Sequence, residues 1–201
     1  MKTKAKGFTL LELIITLSLT VLVLGVVYTF FFSNSKTLTT TEINSDLQLE
    51  AEAIQKDLLM YGTQAEGISK INGVELITPK DMEYRSIAAS DGKFDVTEIK
   101  LKVEADYFTF LYNEINNTLT IRKVNEEDRE VIDSKLNLPK ELSNNVSEFK
   151  VRPLDYRMNP TGNFKDAPGL EISLVLNKKK GYSDVTIPVS VIVKFRNKTN
   201  I

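Results

Sequence analysis

An α+β fold, with a long N-terminal helix packed on an antiparallel β-sheet, is predicted by three features of the chain. Residues Phe8 to Phe32 form an almost unbroken apolar run, apolar positions from Ile43 to Tyr61 recur at intervals of three and four, and the remainder is dominated by apolar–polar alternation. The intervals predict helix, the alternation predicts half-buried strands, and helix followed by strands is the order of an α+β domain. With 201 residues, 42% hydrophobic and 26% charged, the chain suffices for one ordinary domain plus an appendage. It contains neither Cys nor His, which removes disulfide frameworks, thiol nucleophiles, Cys/His zinc sites and histidine general bases. Its 26 Lys+Arg against 27 Asp+Glu leave a formal charge of -1, without the basic footprint that nucleic-acid binding needs.

The first element is the apolar run. Lys2, Lys4 and Lys6 precede it, and Glu12 is its sole residue of definite charge. At about 1.5 Å per residue, roughly 23 helical residues reach about 35 Å, enough to cross a hydrocarbon layer of about 30 Å. Lysines before the span and the polar Ser33-Asn34-Ser35 after it place the N-terminus in the cytoplasm and the body outside. The run exceeds the about 7 to 15 residues of a signal-peptide core, and no Ala-x-Ala follows it. A carboxylate inside such a helix costs about 2.5 to 3.5 kcal/mol at the bilayer centre and calls for a compensating partner.

The stretch Lys6-Gly7-Phe8-Thr9-Leu10-Leu11-Glu12-Leu13 resembles the prepilin cleavage and methylation motif of type IV pilins and type II secretion pseudopilins. That resemblance implies cleavage of a basic leader between Gly7 and Phe8 by prepilin peptidase, then N-methylation of Phe8. It places Glu12 fifth in the mature chain, where the family keeps its acidic residue and uses it to dock one subunit against another. The physics agrees: the new amine of Phe8 in a low-dielectric setting and a carboxylate from a neighbouring subunit each relieve the other's burial. Such a pair serves register and specificity more than net stability. A glycine before the cut presents no side chain to obstruct a peptidase and weakens the helix at the scissile bond. The resemblance also implies pilin or pseudopilin subunits as partners, the lipid bilayer before assembly, and a membrane platform powered by a separate ATPase. This chain has no phosphate-binding Walker loop of its own.

The second element is the stripe Ile43, Leu47, Ala51, Ile54, Leu58 and Tyr61, with Glu42, Asp46, Glu50, Glu52 and Asp57 on other faces and Gly62 as a stop. The resemblance joins it to the apolar run as one helix from about Phe8 to Tyr61. Ser33 to Thr41, rich in Ser, Thr and Asn, is its weakest stretch and a place to bend.

Strands follow. Val96 to Val103, Tyr107 to Tyr112 and Leu119 to Val124, with a turn at Asn113 to Asn117, read as a hairpin. Phe149 and Val151 belong to a further strand. Leu170 to Leu176 and Val185 to Phe195 alternate cleanly, joined by a turn at Lys178 to Asp184, and Pro188 marks the last strand as an edge or a late start. Asn72-Gly73 is a tight-hairpin signal, and Arg152 to Gly169, with Pro153, Pro160, Gly162 and Pro168, reads as a loop.

Sharper chemistry finds little footing. Asn125 to Glu130 concentrates carboxylates, but no Gly occurs between Gly92 and Gly162 to make the sharp turn of a calcium loop, so it reads as a solvated turn. No G-x-S-x-G nucleophile motif occurs, and no catalytic, metal or cofactor site is expected. Lys178-Lys179-Lys180 reads as a solubilising turn. The resulting organisation is a basic leader at 1–7, a membrane or filament-core helix at 8–32, its amphipathic continuation at 33–62 and a β-rich extracytoplasmic domain at 63–201. A minor pilin or pseudopilin subunit, not an enzyme, is the leading function, first in the membrane and then in a cell-surface filament. A membrane-anchored extracytoplasmic binding domain or enzyme that never polymerises is the alternative, and a filament-tip adhesin or DNA receptor is a third class. The last 60 or so residues, with Arg196-Asn197 after a long strand, resemble W-type minor pilins and J-type minor pseudopilins by pattern. Absence of Cys departs from pilins that close a C-terminal loop with a disulfide.

Overall fold

The computed structural model describes residues 8–76, 92–162, 164 and 167–195. Its first element is a single helix, α1 (Leu10–Gln64), about 80 Å long at 1.5 Å per residue. It is helical throughout Ser33 to Thr41, where the sequence suggested a bend. Thr37, Thr39, Thr40 and Thr41 donate their hydroxyls to carbonyls four residues earlier in the same helix, at 2.9 to 3.0 Å. Those hydroxyls lie along the helix instead of supporting a turn.

The stop at Gly62 needs correction. The helix runs on to Gln64 and ends at Ala65, whose backbone is extended. Gly62 serves packing: a Cβ there would lie 2.5 Å from Val193 Cγ1, so only a residue without a side chain lets the helix approach the last strand this closely.

Eleven strands follow among the described residues: β1 (Gly67–Ile71), β2 (Val74–Glu75), β3 (Phe94–Asp95), β4 (Glu98–Val103), β5 (Asp106–Asn113), β6 (Thr118–Val124), β7 (Glu130–Val131), β8 (Lys140–Ser143), β9 (Val146–Leu154), β10 (Gly169–Lys180) and β11 (Ser183–Lys194). They make two sheets with antiparallel pairing. One has the order β2-β1-β4-β5-β6, with β7 and β8 both paired to β6, and the other has the order β11-β10-β9-β3. The chain passes from one sheet to the other directly between β3 and β4, where Val96 N–H donates to the Phe149 carbonyl at 3.0 Å.

Several turns sharpen the sequence reading. Asn72 and Gly73 both take positive φ, 48° and 79°, the conformation a two-residue hairpin needs. The expected hairpin at 96–124 is a three-strand meander, because Glu104, with φ 54°, turns β4 into β5 without a glycine. The turn placed at Lys178 to Asp184 shrinks to Gly181-Tyr182, since Lys180 already pairs with Ser183 in the β10–β11 ladder. Pro188 sits within β11, an edge strand, as the missing N–H demands. Pro153, read as loop, lies in β9 opposite Leu170, on a stretch that β3 does not reach because it pairs only with Val151 and Lys150.

One hydrophobic core joins helix and sheets. Ile43, Leu47, Ala51, Ile54, Leu58 and Tyr61 are all buried in it, the stripe that the spacing predicts. They pack chiefly on β11 and β10, with β8 and β4 behind. Tyr61 crosses to the other sheet, its ring centroid 4.7 Å from that of Phe108 and 6.4 Å from that of Phe110. The acidic flanks of the stripe are clamps as well as solvent faces. Asp57 accepts from Lys140 at 2.7 Å, Glu50 from Asn145 at 2.9 Å, Asp46 from Lys178 at 3.1 Å and Glu42 from Lys180 at 3.1 Å, whereas Glu52 is exposed.

Candidate functional site

The helix begins with a reciprocal cap. Thr9 is extended (φ -79°, ψ 151°) and its Oγ1 accepts from the Glu12 N–H at 3.3 Å, while Glu12 Oε2 accepts from the Thr9 N–H and the Thr9 hydroxyl, both at 2.9 Å. Two orphan donors of the first turn are satisfied, and a negative charge stands at the positive end of the helix dipole. Thr9-Leu10-Leu11-Glu12 is a capping-box spacing legible in the sequence, although Glu12 first drew notice as a buried charge. The structure therefore brings Glu12 and the residue next to Phe8 together within one chain. Gly7, where cleavage is expected, and the leader lysines lie outside the described residues.

From Phe8 to Phe32 every side chain is exposed, Phe8 at 80% and Leu22 at 67% among them. This is the one described helix with the length and composition to cross a membrane, and its most apolar window has a mean hydropathy of 2.6 with none of it buried by the protein. The Ser and Thr hydroxyls inside the run are satisfied locally. Thr16 donates to the Glu12 carbonyl at 2.8 Å, Ser18 to Ile14 at 2.8 Å, Thr20 to Thr16 at 2.7 Å and Thr29 to Gly25 at 2.9 Å. A hydrocarbon environment demands this of every hydrogen-bonding group.

At the upper end of the run the body touches the helix through the tip of the β10–β11 hairpin. Tyr182 meets Phe32 edge-on at 5.4 Å between ring centroids, and Phe32 stacks with Tyr28 at 6.4 Å. Sequence reading did not pair these residues, which lie 150 positions apart; the hairpin register brings them together.

The remaining sequence candidates take structural roles. Asp128, in the acidic turn after β6, has φ 60° and bonds Lys100 at 2.6 Å and Lys70. The Lys100 hydrogen bond and then that of Lys70 hold its carboxyl below the usual carboxylate range. Lys100 is itself buried, its ammonium 4.2 Å from the centroid of the Tyr107 ring. This turn is exposed, as the sequence predicts, and Asp128 also pins it to the sheet. Lys178 and Lys180 are likewise tied to the helix acids. On the outer face of the second sheet, burial pushes Glu171 up, but Arg152 and Lys93 outweigh it and hold the carboxyl below its ordinary value. Among the described residues no three acidic side chains converge as metal ligands.

Comparison with known proteins agrees with this geometry at the N-terminus. Residues 2–28 match the prokaryotic N-terminal methylation motif, a family description that covers the leader, Gly7, Phe8, Glu12 and most of the apolar run. No curated protein and no solved structure matches the chain. The motif is that of prepilin peptidase substrates, structural subunits that work with other pilin subunits, and with the bare apolar helix it fits single-pass membrane anchoring. By this motif, and by the helix packed on antiparallel sheets behind it, the chain carries the prepilin-type N-terminus of the pilin and pseudopilin family.

Proposed function

We propose that this chain is a minor pilin or pseudopilin subunit, cut between Gly7 and Phe8 by prepilin peptidase, methylated on the new amine of Phe8, and built into or priming a thin filament. The observation that carries the reading is the continuous helix whose motif-bearing half, Phe8 to Phe32, is left bare by the described residues of the body except where Tyr182 meets Phe32. Lipid covers it before assembly and helices of other subunits cover it afterwards, in a filament raised by a membrane platform with its own ATPase. Glu12 is the docking group. Both bonds from Thr9 fall on Oε2, so Oε1 can take a further donor, the Phe8 ammonium of a neighbouring subunit. A buried pair of this kind fixes register, since any other stagger leaves two charges unpaired in a low-dielectric core.

Intact mass of the protein made with and without its host's prepilin peptidase tests this. The expected product lacks residues 1–7 and carries one methyl on Phe8, and Gly7→Val blocks the cut by placing a branched side chain at the scissile bond. An uncut chain, or one cut beyond Phe32, returns the protein to the anchored or secreted binding domains.

A further inference from the structure

The β10–β11 hairpin ends beside the helix at the level where the apolar run stops, and its contacts fix that level closely. Ser183 is buried, with Oγ 2.9 Å from Thr40 Oγ1 and 3.4 Å from the Lys36 carbonyl oxygen. Lys180 pairs with Glu42 at 3.1 Å, and Tyr182 reaches down to Phe32 while remaining 80% exposed. The tip is thereby held against helix positions 32 to 42, the membrane-proximal end of the body.

The length of the apolar run says what lies at that level. Glu12 is the only acidic residue of the run and marks its inner boundary. From Leu13 to Phe32, at about 1.5 Å per residue, the helix covers about 30 Å, the thickness of the hydrocarbon layer. Its outer boundary therefore falls at Phe32, the ring that Tyr182 touches, and polar sequence begins at Ser33. Tyrosine prefers this depth, where an amphipathic ring can meet acyl carbon on one side and headgroups on the other. Lys36, one turn above Phe32, is exposed and adds a cation at phosphate height.

We propose that the Gly181-Tyr182 hairpin tip, with Lys36 beside it, is a lipid-contact site that sits in the phosphate and glycerol layer on the outer face of the bilayer. With the spanning helix as first attachment, it gives the body a second one, setting its height and tilt over the membrane before assembly. The inference rests on the membrane-spanning reading of Phe8 to Phe32.

The chain has no Trp, so single substitutions report without background. Full-length Tyr182→Trp, Phe31→Trp and Tyr156→Trp proteins are each reconstituted into protein-free phospholipid vesicles at a protein-to-lipid ratio low enough to keep chains apart, with a spin-labelled phospholipid carrying its quencher near the headgroup. Tyr156 follows the opposite end of β9, about 40 Å from the hairpin tip at 3.3 Å per strand residue. Expected is quenching of Tyr182→Trp several-fold stronger than that of Tyr156→Trp, with blue-shifted emission. Tyr182→Trp as weakly quenched as Tyr156→Trp, with Phe31→Trp quenched by acyl-chain labels, overturns the lipid site and leaves the spanning reading standing. Blue-shifted but unquenched emission places protein, not lipid, over the tip and overturns it as well. Absence of quenching at Phe31→Trp by any lipid label overturns the spanning reading and the lipid site together.

Discussion

Between Leu10 and Phe32 the helix exposes every side chain, whereas between Ile43 and Tyr61 the same helix buries Ile43, Leu47, Ile54 and Leu58 to 1% or less. The two halves share backbone geometry and differ in the distribution of apolar side chains. The second half is amphipathic, so one sheet face covers its stripe and the acids beside it form clamps to Lys140, Asn145, Lys178 and Lys180. The first half is apolar all round, and no single sheet face can cover a cylinder; such a helix needs lipid or other helices on all sides. The body's fold is thus specified by contacts within the chain, and the N-terminal half by contacts with something outside it.

The largest expected effect separates these two sources of specification at one residue. On the proposed docking role, Glu12→Ala removes the carboxylate that would pair with a neighbouring subunit's ammonium, so incorporation into a sheared filament fraction is expected to fall on the order of tenfold or more. Thermal unfolding of the body stays unchanged, since the hydrogen bonds of Glu12 go to Thr9 and Thr16, both in the bare half. Normal incorporation of this variant removes the docking role.

The reciprocal test uses matched leucines. Leu58→Ala, in the buried stripe, leaves a cavity under β11 and costs the body about 2 to 5 kcal/mol in chemical denaturation. Leu22→Ala, on the bare half, leaves body stability unaltered because its side chain is 67% exposed on a stretch that the described strands do not cover. Equal losses from the two substitutions would erase the distinction between the halves.

How much of this was legible in the sequence follows the same division. The stripe at Ile43 to Tyr61 could be read because helical spacing and burial coincide residue for residue, and β10 and β11 because alternation has a fixed period. The N-terminal methylation motif could be read because its residues are contiguous. Contacts between distant segments carried no such signal: Tyr182 on Phe32, Asp128 on Lys100 and Gly62 against Val193 depend on how strands register across the sheets. The continuity of the helix through Ser33 to Thr41 was obscured because Ser, Thr and Asn also favour turns, and only the backbone decides where a hydroxyl bonds.

Gly62 offers a smaller effect that sharpens the picture of the body. Gly62→Ala gains intrinsic helix propensity, about 1 kcal/mol in an exposed helix, yet its Cβ meets Val193 Cγ1 at 2.5 Å. Overpacking of this kind costs about 1 to 3 kcal/mol, so net destabilisation is expected by thermal melting. Val193→Ala in the same chain relieves the clash, and the double variant should lose less than the sum of the single changes. Additive losses would mean that Gly62 is there for another reason.

The smallest effect lies at the pinned turn after β6, and its pH dependence has a definite sign. Asp128 has a carboxyl held below its ordinary range by Lys100 and Lys70, so in the folded protein it releases its proton more readily than in the unfolded chain. The unfolded state binds more protons there, and stability rises with pH across that interval. The contribution is fully present above the ordinary aspartate range and is lost as pH falls through the depressed folded value. Asp128→Asn should therefore reduce stability at neutral pH, by a modest amount because the side chain is 40% exposed and screened by water. The difference between parent and variant should narrow as acid protonates the parent's carboxylate. Lys100 sharpens the test, since it is buried beneath Tyr107 and loses its carboxylate partner when Asp128 is replaced. Lys100→Met in the Asp128→Asn background removes that unpaired cation and should recover stability at every pH, whereas a further loss would show that Lys100 is held by the ring and the Asn125 carbonyl independently of Asp128.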